Sequence, residues 1–554
     1  MILSSLKLAL AKVVSSDNVE LHEQRSRLNK LCNLFLDQYG DGHVSLIRAP
    51  ARVNILGEHI DYVSYVPTAS LTFGSRERDA LMLYRESAEP IVSGASTADN
   101  YPPFCFSLLP CPIQPLVDNV EGNWLSFLYE TGTPEAHWQN YIRGAVNFAH
   151  CKFGQQISRG FDFAVDSSIP AGGGASSSSA LVVLGGAAIR EVNGVSFSPK
   201  ELAHESAMAE WYIGTRGGSM DHITICLAQR ASAVLISYST KQTRRVALPD
   251  APFQWLTFFS KPANKGREIM IEYNERAAVS RLLLPAFIDA WRITHRDRHR
   301  AWCEAIDSFS AGSLMALDSA EELLTNLPET IAIDQLKVDH PGALAELQRQ
   351  FPALLAKHNR WPLRLRDRAR HHLGEIRRVS CAAETLDSMH NDDDSNVMSA
   401  MRSIGQMLNE SHQSLRDLYG VSTDEVERLI SIIRSDPNVL GARLMGGGFG
   451  GNVLALTTKE HTQALIAQVQ KEYYEPQRRV GVQEGSIMVS TPGDGLAPLD
   501  LFRFWRKAIV QINSMGRDAM SYTSNLLAII DAIPIDINGE DIWPIIVAAG
   551  KGTR

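Results

Sequence analysis

Apolar and polar positions alternate along the chain with two different periodicities, one typical of strands and one typical of helices. These periodicities predict its main elements. An apolar run typical of a buried strand covers residues 161–165, and a helical run follows it from Leu181. A second pair of strand-like runs, at 442–445 and 452–456, encloses a run of glycines. From residue 274 to about 373 the pattern is almost wholly helical and charged. Both strands and helices are therefore expected.

Further segments are assigned in the same way. Residues 1–40 are predicted to be helical as far as Tyr39, and a strand is predicted at 43–47. The stretch from 86 to 135 has little periodicity and many Pro and Gly residues, so it is predicted to be irregular. Three more helical segments are predicted, at 200–214, from 219 and at 424–434.

Composition narrows the classes of protein that this chain fits. Its 554 residues are enough for several domains, and an apolar content of 44% supports large cores. The net charge of −8 is the opposite of what a nucleic-acid surface needs. The 7 cysteines include no C-x-x-C pair, which is typical of a reducing compartment. No apolar run reaches membrane-spanning length, and the N-terminus reads as an amphipathic helix rather than an export signal, so a cytoplasmic location with no membrane partner is predicted.

The segment between the 161–165 strand and its helix has the composition of a phosphate-binding loop. Glycines let backbone N–H groups approach an anion, and a helix N-terminus adds positive potential. A flexible linker has the same composition, but linkers do not usually lie between two core elements. No Gly-Lys-Ser/Thr follows, so this is not a Walker loop. The residues concerned are Gly172, Gly173, Gly174, Ser176, Ser177 and Ser178.

A second polar cluster follows the first predicted strand. Glu58, His59 and Asp61 lie within four residues of one another and offer the donors and acceptors that a polyhydroxyl ligand needs. A polar turn with a cap would explain the same residues. The spacing alone leaves both readings open.

Three motifs together resemble those of the GHMP small-molecule kinases. The segment 48–62 is similar to the galactokinase signature of that superfamily, the glycine–serine loop to its second motif, and the segment 444–451 to its third. They occur in the family's order, and secondary matches extend the likeness over about residues 22–490. The resemblance implies an α+β, two-lobed kinase with a ribosomal-S5-like first lobe and a ferredoxin-like second lobe that carries extra helices.

The resemblance also implies a domain division and a reaction. The divisions are an N-terminal helical segment at 1–40, a first lobe at 41–255, a second lobe at 256–495 and a tail at 496–554. The reaction is transfer of a phosphoryl group from ATP, with Mg²⁺, to the anomeric hydroxyl of galactose or a related sugar. Such a transfer needs positioned phosphates, charge stabilisation and an acceptor for the hydroxyl proton.

The resemblance assigns roles to individual residues. Asp221 matches the catalytic aspartate and Arg52 the arginine paired with it, whereas Asp221 read without the family would be a helix N-cap. Ser178 and Glu210 match the Mg²⁺ ligands. The sugar-binding positions are Glu58, His59, Asp61, Gly218 and Tyr273. The ATP-binding positions are the six loop residues named above together with Gly447 and Gly448.

Two departures from the family pattern border the expected sugar pocket. Only residues 63–66 precede Pro67, two fewer than usual and without glycine, and residues 215–218 replace a typical Pro-Cys-Gly. A related sugar such as arabinose or a uronic acid is therefore an alternative to galactose. Arg216 would meet the carboxylate of a uronic acid, or is simply a solvated arginine. A non-catalytic sugar sensor is the alternative from another class, although the serine cluster, Arg52 and Asp221 are all intact.

The C-terminal tail carries a separate resemblance. Residues 543–554 form an apolar run that enters Ala-Ala-Gly-Lys-Gly-Thr-Arg, similar to the opening of sugar-nucleotide pyrophosphorylases. An incidental strand and turn is the alternative. The resemblance predicts that this kinase is fused to a nucleotidyltransferase, which would use a sugar 1-phosphate as its substrate.

Overall fold

The computed structural model describes most of the chain. The described residues are 3, 19–108, 119–135, 137–249, 252–262, 267–294, 296–307, 324–325, 327–358, 362–389, 394–477 and 487–498. The pyrophosphorylase-like tail motif at 543–554 lies outside them. In the described part of the chain, no helix combines the length and the apolar character needed to cross a membrane.

A large mixed sheet forms the first layer of the protein. Its strands run in the order β15-β1-β2-β5-β3-β4, with β6 and β14 also paired to β2, and β7 paired to β6. The long central strand β2 is paired antiparallel with β1 and β5, and β3 runs parallel to β5. The strands are β1 (Ser45–Leu56), β2 (Ala69–Glu86), β3 (Ile91–Ser96), β4 (Phe104–Ser107), β5 (Phe161–Ser167), β6 (Ser232–Ser237), β7 (Gln242–Ala247), β14 (Pro492–Gly493) and β15 (Ala497–Pro498).

Amphipathic helices cover this sheet and bury its apolar side chains. The helix Ser177–Val192 is buried along nearly its whole length because small residues, Gly185 and Gly186 among them, let neighbouring side chains approach it closely. Along the chain, the helices that precede or connect the strands of this sheet are Val19–Tyr39, Val120–Thr131, Gln139–Phe153, Ser177–Val192, Pro199–Glu210 and Met220–Leu227. The predicted helix boundary at Tyr39 is confirmed.

A second, antiparallel sheet has the order β11-β12-β8-β13. Its strands are β8 (Phe253–Phe259), β11 (Gly441–Met445), β12 (Asn452–Thr458) and β13 (Ile487–Ser490). The predicted strand–glycine loop–strand unit is β11, its loop and β12, and the helix predicted at 424–434 is Asp424–Arg434. The remaining helical segments are Arg267–Ala278, Val279–Leu283, Leu284–Thr294, Arg296–Asp307, Ile333–Asp339, Pro341–Gln350, Pro352–His358, Arg366–Ser388, Asp394–Ser414, Leu415–Tyr419, Thr462–Val469, Gln470–Tyr474 and Glu475–Gln477.

The charged region at 274–373 forms a helical cluster with its own apolar core. Leu283, Leu347 and Leu363 are buried in it, and the short ladder of β9 (Thr330–Ile331) with β10 (Leu363–Arg364) interrupts the helices. Three residues of the shortened loop, Val63, Tyr65 and Val66, pack into the same core. The loop that departs from the family pattern is therefore anchored by this helical cluster.

The prediction of an irregular segment at 86–135 is wrong. It contains β3, β4 and the helix Val120–Thr131. The two strands have only six and four residues, too few to show a clear alternation, and sheet pairing rather than local pattern fixes them. The helix is short, and its N-cap is Asn119, whose side chain accepts a hydrogen bond from the Gly122 N–H.

Candidate active site

The glycine–serine loop connects β5 to the start of a helix, as predicted. Gly172 and Gly174 have φ values of 70° and 73°, which glycine adopts without steric cost. Ser176 also has a positive φ, 67°, and stands at the N-cap of the helix that begins at Ser177. Its buried Oγ has no hydrogen-bond partner among the described residues. The loop thus presents a helix N-terminus, hydroxyls and an unsatisfied polar group to one side, which suits an anion.

The second glycine loop, between β11 and β12, packs directly on the first. The Asn452 N–H donates to the Gly173 carbonyl at 2.8 Å. A Cβ on Gly174 would lie 2.9 Å from the Met445 carbonyl oxygen, and one on Gly446 would lie 2.7 Å from the Gly174 carbonyl oxygen. Both glycines are required by this backbone-to-backbone contact.

Arg52 and Asp221 form the central ion pair. Arg52 lies on β1, is 3% exposed and donates to Asp221 Oδ1 from Nε at 2.7 Å and from Nη2 at 2.6 Å. Its Nη1 donates to the Gly174 carbonyl at 2.9 Å, so one side chain contacts both the carboxylate and the phosphate loop. Asp221 belongs to the first turn of the helix Met220–Leu227 and is 26% exposed. The predicted pairing is present, and Asp221 remains accessible from the cleft.

A second carboxylate, Glu210, lies beside the serine cluster. Ser179 Oγ donates to Glu210 Oε2 at 2.7 Å, and His222 Nε2 lies 2.8 Å from the same oxygen. Ser178, the predicted metal ligand, lines the cleft together with Glu210. Ser179 and His222 were missed by the sequence reasoning, although both are direct neighbours of predicted residues, Ser178 and Asp221.

These oxygens fit a hard divalent cation that is shared with a nucleotide. The described residues hold no group of three or more His, Cys, Asp or Glu side chains arranged for a metal. A carboxylate and one or two hydroxyls match the sparse protein contribution typical of Mg²⁺, which takes its other ligands from phosphates and water. Ser178 and Glu210 would therefore hold the ion only with ATP in place.

Asp61 contacts the start of the helix that carries Asp221. Its Oδ2 accepts the Met220 N–H at 3.2 Å. A Cβ on Gly218 would lie 2.2 Å from this oxygen, so only glycine allows the approach. Burial, and next the charge of Asp221, raise the pKa of Asp61 to about 6. A buried carboxylate held in this way is suited to binding a ligand hydroxyl.

Glu58 holds the two lobes together. Its Oε2 accepts from Arg443 Nη2 at 3.1 Å and from the Gly446 N–H at 2.8 Å. The backbone around it is held from the second lobe, because Glu375 Oε2 accepts the N–H groups of Gly57 at 2.9 Å and Glu58 at 3.3 Å. Glu58 thus connects the predicted sugar-binding turn to the second glycine loop.

His59 has a strained backbone and a buried ring. Its φ is 60°, unusual for a residue with a side chain, and its ring stacks on Tyr419 with centroids 4.8 Å apart. Nδ1 lies 2.9 Å from the Tyr62 hydroxyl, whereas Nε2 has no hydrogen-bond partner among the described residues. Burial, and next the charge of His371, lower the pKa of His59 well below its usual range.

Arg216 is buried, so its interpretation as a solvated arginine is wrong. The guanidinium lies over the Trp211 ring at 5.8 Å, and burial lowers its pKa. Arg281 also lies over the Trp211 ring, at 5.1 Å, and donates to the Gly217 carbonyl at 2.8 Å. The turn 215–218 is therefore supported by two cations that contact Trp211.

Most of the predicted site residues surround one open cleft of about 1270 Å³ between the two sheets. The predicted site residues that line it are Arg52, Glu58, His59, Asp61, Gly172, Gly174, Ser176, Ser177, Ser178, Glu210, Gly218, Asp221, Tyr273, Gly447 and Gly448. Gly173 does not line the cleft, because it packs against Asn452. Arg52 links Asp221 to the phosphate loop through the Gly174 carbonyl, and Asp61 accepts the N–H of Met220, the residue that precedes Asp221.

Comparison with known proteins agrees with this geometry. The model of the GHMP kinases N-terminal domain matches residues 140–229, that of the GHMP kinases C-terminal domain matches 397–475, and the galactokinase galactose-binding signature matches 33–66. Galactokinase of Enterococcus faecalis is 26% identical over 455 residues, covering 80% of this chain and 94% of that protein. Galactokinase of Clostridium acetobutylicum is 25% identical, covering 84% and 97%.

The fold agrees as well. The crystal structure of Lactococcus lactis galactokinase complexed with galactose matches with a TM-score of 0.57 and 23% identity, over 84% of this chain and 98% of that one. This likeness confirms the predicted two-lobed α+β fold. The chain therefore carries matches to the GHMP kinases N-terminal and C-terminal domains and to the galactokinase galactose-binding signature, and it is similar to galactokinases over most of its length.

Proposed function

We propose that the protein is an ATP-dependent sugar 1-kinase that phosphorylates the anomeric hydroxyl of galactose or a closely related sugar. The observation that carries this proposal is the position of Asp221. Its carboxylate is oriented by Arg52 through two contacts of 2.6 and 2.7 Å. The same guanidinium donates to the Gly174 carbonyl of the phosphate-binding loop, and the N–H of the neighbouring Met220 donates to Asp61. The relatives named above are galactokinases, which supports a sugar as the acceptor.

The chain's own residues supply most of what the transfer needs. Asp221 accepts or orients the proton of the sugar hydroxyl. Arg52 fixes the Asp221 carboxylate relative to the phosphate loop, because its guanidinium also donates to the Gly174 carbonyl. The N-terminus of the helix Ser177–Val192 and the serine hydroxyls position the phosphates. Mg²⁺, bound through Ser178 and Glu210, would neutralise charge on the phosphate oxygens. Transfer is direct, without a phosphoenzyme.

The buried guanidinium of Arg216 lies behind the pocket rather than in its lining, so galactose and other neutral sugars are favoured over uronic acids. The tail motif at 543–554 supports a fused nucleotidyltransferase that consumes the sugar 1-phosphate.

The test is sugar-dependent ADP release with galactose, arabinose, galacturonate, glucuronate and glucose, followed by ³¹P NMR of the product. We expect one neutral sugar to be turned over and to carry its phosphate at the anomeric position.

Asp221→Asn should lower kcat by about 10³-fold without lowering the melting temperature. Asp387→Asn, an exposed carboxylate paired with Arg244, is the matched control and should leave kcat unchanged. Absence of ADP release with every sugar would favour the sensor, and an active Asp221→Asn would overturn its role.

A further inference from the structure

A continuous line of hydrogen bonds runs from the shortened loop to the sugar pocket. Tyr65 Oη lies 2.9 Å from His372 Nδ1, and His372 Nε2 lies 3.1 Å from Ser280 Oγ. Ser280 Oγ lies 3.2 Å from Tyr419 Oη, which lies 2.8 Å from Tyr62 Oη. Tyr62 Oη ends the line 2.9 Å from His59 Nδ1. Every group in it is buried or nearly so.

Each hydroxyl and each neutral imidazole in this line has one proton to donate, although a hydroxyl oxygen can accept more than one hydrogen bond. The hydroxyls have no other hydrogen-bond partner among the described residues, so each of their protons has an acceptor only when all of the links point the same way. Burial is the main cause that lowers the pKa of both His59 and His372 well below the usual range, so each ring carries a single proton at neutral pH. The direction of the line therefore decides which nitrogen of His59 is protonated.

The outer end of the line fixes that direction. Tyr65 Oη has His372 Nδ1 as its hydrogen-bond partner and no other among the described residues. If Tyr65 accepted from His372, its own buried O–H would have no acceptor in the described part of the chain, and an unsatisfied buried donor costs about 1–3 kcal/mol. Donation by Tyr65 avoids this cost. His372 then donates from Nε2 to Ser280, and Ser280 donates to Tyr419. Tyr419 in turn donates to Tyr62, and Tyr62 donates to His59 Nδ1.

We infer that this line, defined by Tyr65, His372, Ser280, Tyr419 and Tyr62, fixes His59 as the Nε2–H tautomer and makes it a hydrogen-bond donor to the sugar. The substrate must present an acceptor oxygen at that position, and a hydroxyl there is recognised by its lone pair rather than its proton. Tyr65, His372 and Ser280 are positioning residues, since they act on the substrate only through His59. The assignment of the ligand as a sugar rests on the proposed function.

The shortened loop supplies the outer donor of this line. Tyr65 comes from residues 63–66, the segment that departs from the family pattern, and its partner His372 lies on the helix Arg366–Ser388. The Tyr65 ring packs in the helical cluster beside Val63 and Val66. The cluster and the short loop together place the outer donor of the line.

The first test needs no sugar. Nitrogen-15 NMR of the histidine rings, with His59→Gln used to assign the signals, should show a protonated Nε2 and an unprotonated Nδ1 at His59. In Tyr65→Phe the outer donor is lost, and the two His59 tautomers should become mixed. Tyr474→Phe also loses one hydroxyl hydrogen bond, 2.9 Å to the Phe259 carbonyl, but lies outside the line and should leave His59 unchanged. A protonated Nδ1 in the native chain would overturn the inference.

The second test uses deoxy and fluorodeoxy analogues of the sugar that the native protein turns over. Fluorine accepts a hydrogen bond but cannot donate one. At one ring position the deoxy analogue should have a KM about tenfold or more above that of the parent sugar, whereas the KM of the fluorodeoxy analogue should stay within a few-fold of it.

Tyr65→Phe should raise the KM for the parent sugar by about tenfold with little change in kcat, whereas Tyr474→Phe should leave both unchanged. Equal loss with both analogues at every position, or equal KM in the two variants, would contradict the inference. Failure of the native protein to use any sugar would instead count against the proposed function.

Discussion

At the scale of single residues, Asp61 is held in a state that costs stability. Burial and the charge of Asp221 raise its pKa to about 6. The folded protein therefore keeps the Asp61 proton up to about pH 6, whereas the unfolded chain releases it near pH 4. Because the folded state binds more protons in this interval, the free energy of unfolding should fall as the pH rises through it.

Asp61→Asn should remove that penalty. At pH 7 we expect its free energy of unfolding to exceed the native value by about 2 kcal/mol, with a smaller difference at pH 4.5, measured by urea unfolding. The same variant should raise the sugar KM, since a binding group that strains the fold is typical of a functional site. Asp387→Asn is the control and should show neither effect. A variant that is no more stable than the native protein at pH 7 would contradict this account of Asp61.

At the scale of elements, the two glycine loops act as one unit because their backbones touch. Gly446 has a φ of 89°, and the Gly174 carbonyl oxygen occupies the space beside it, 2.7 Å from where a Cβ on Gly446 would lie. Gly446→Ala should push the loops apart, raise the KM for ATP by about tenfold or more and lower the melting temperature. Nucleotide titrations and thermal unfolding measure the two effects.

Gly194 provides a matched control for this substitution. Its φ is 65°, so Gly194→Ala carries a similar backbone strain, but no atom lies within 4 Å of the added Cβ. Its effect should be a modest loss of stability with an unchanged KM for ATP. If the two variants bind ATP equally well, contact between the loops is not what organises the phosphate site.

At the scale of the whole molecule, the end of the described chain returns to the first sheet. β15 pairs with β1, the strand that carries Arg52, and Arg48 Nη1 donates to the Asp494 carbonyl at 3.0 Å. β13 meanwhile completes the second sheet by pairing with β8. The segment 487–498 therefore belongs to both sheets, and the protein should unfold as one cooperative body.

Truncation tests this organisation. A chain that ends at residue 498 should keep sugar-dependent ADP release within about twofold of the native rate, because every described contact of the site is retained. A chain that ends at residue 486 should lose β13, β14 and β15, and with them its cooperative unfolding transition and its activity. Full activity of the shorter chain would show that the returning strands are dispensable.

Local chemistry explains why much of the site could be predicted from the sequence. Glycines that need positive φ, a serine cluster at a helix start and Asp221 in a first helical turn each depend on neighbours in the chain. The strands flanking Gly446 were predicted for the same reason, since their apolar runs are continuous. The segment 86–135 was missed because its strands are too short for a pattern and exist only through pairing with distant partners.

What the sequence by itself determined is the set of loops, their order and the family of kinases whose motifs they resemble, because motif spacing and local backbone preference are properties of neighbouring residues. Only the tertiary structure decided which atoms meet. It paired Ser179 with Glu210, buried Arg216 on Trp211, and brought Tyr65 to His372 across 307 positions of the chain. Such contacts depend on how sheets and helices pack in three dimensions, and no local pattern encodes them.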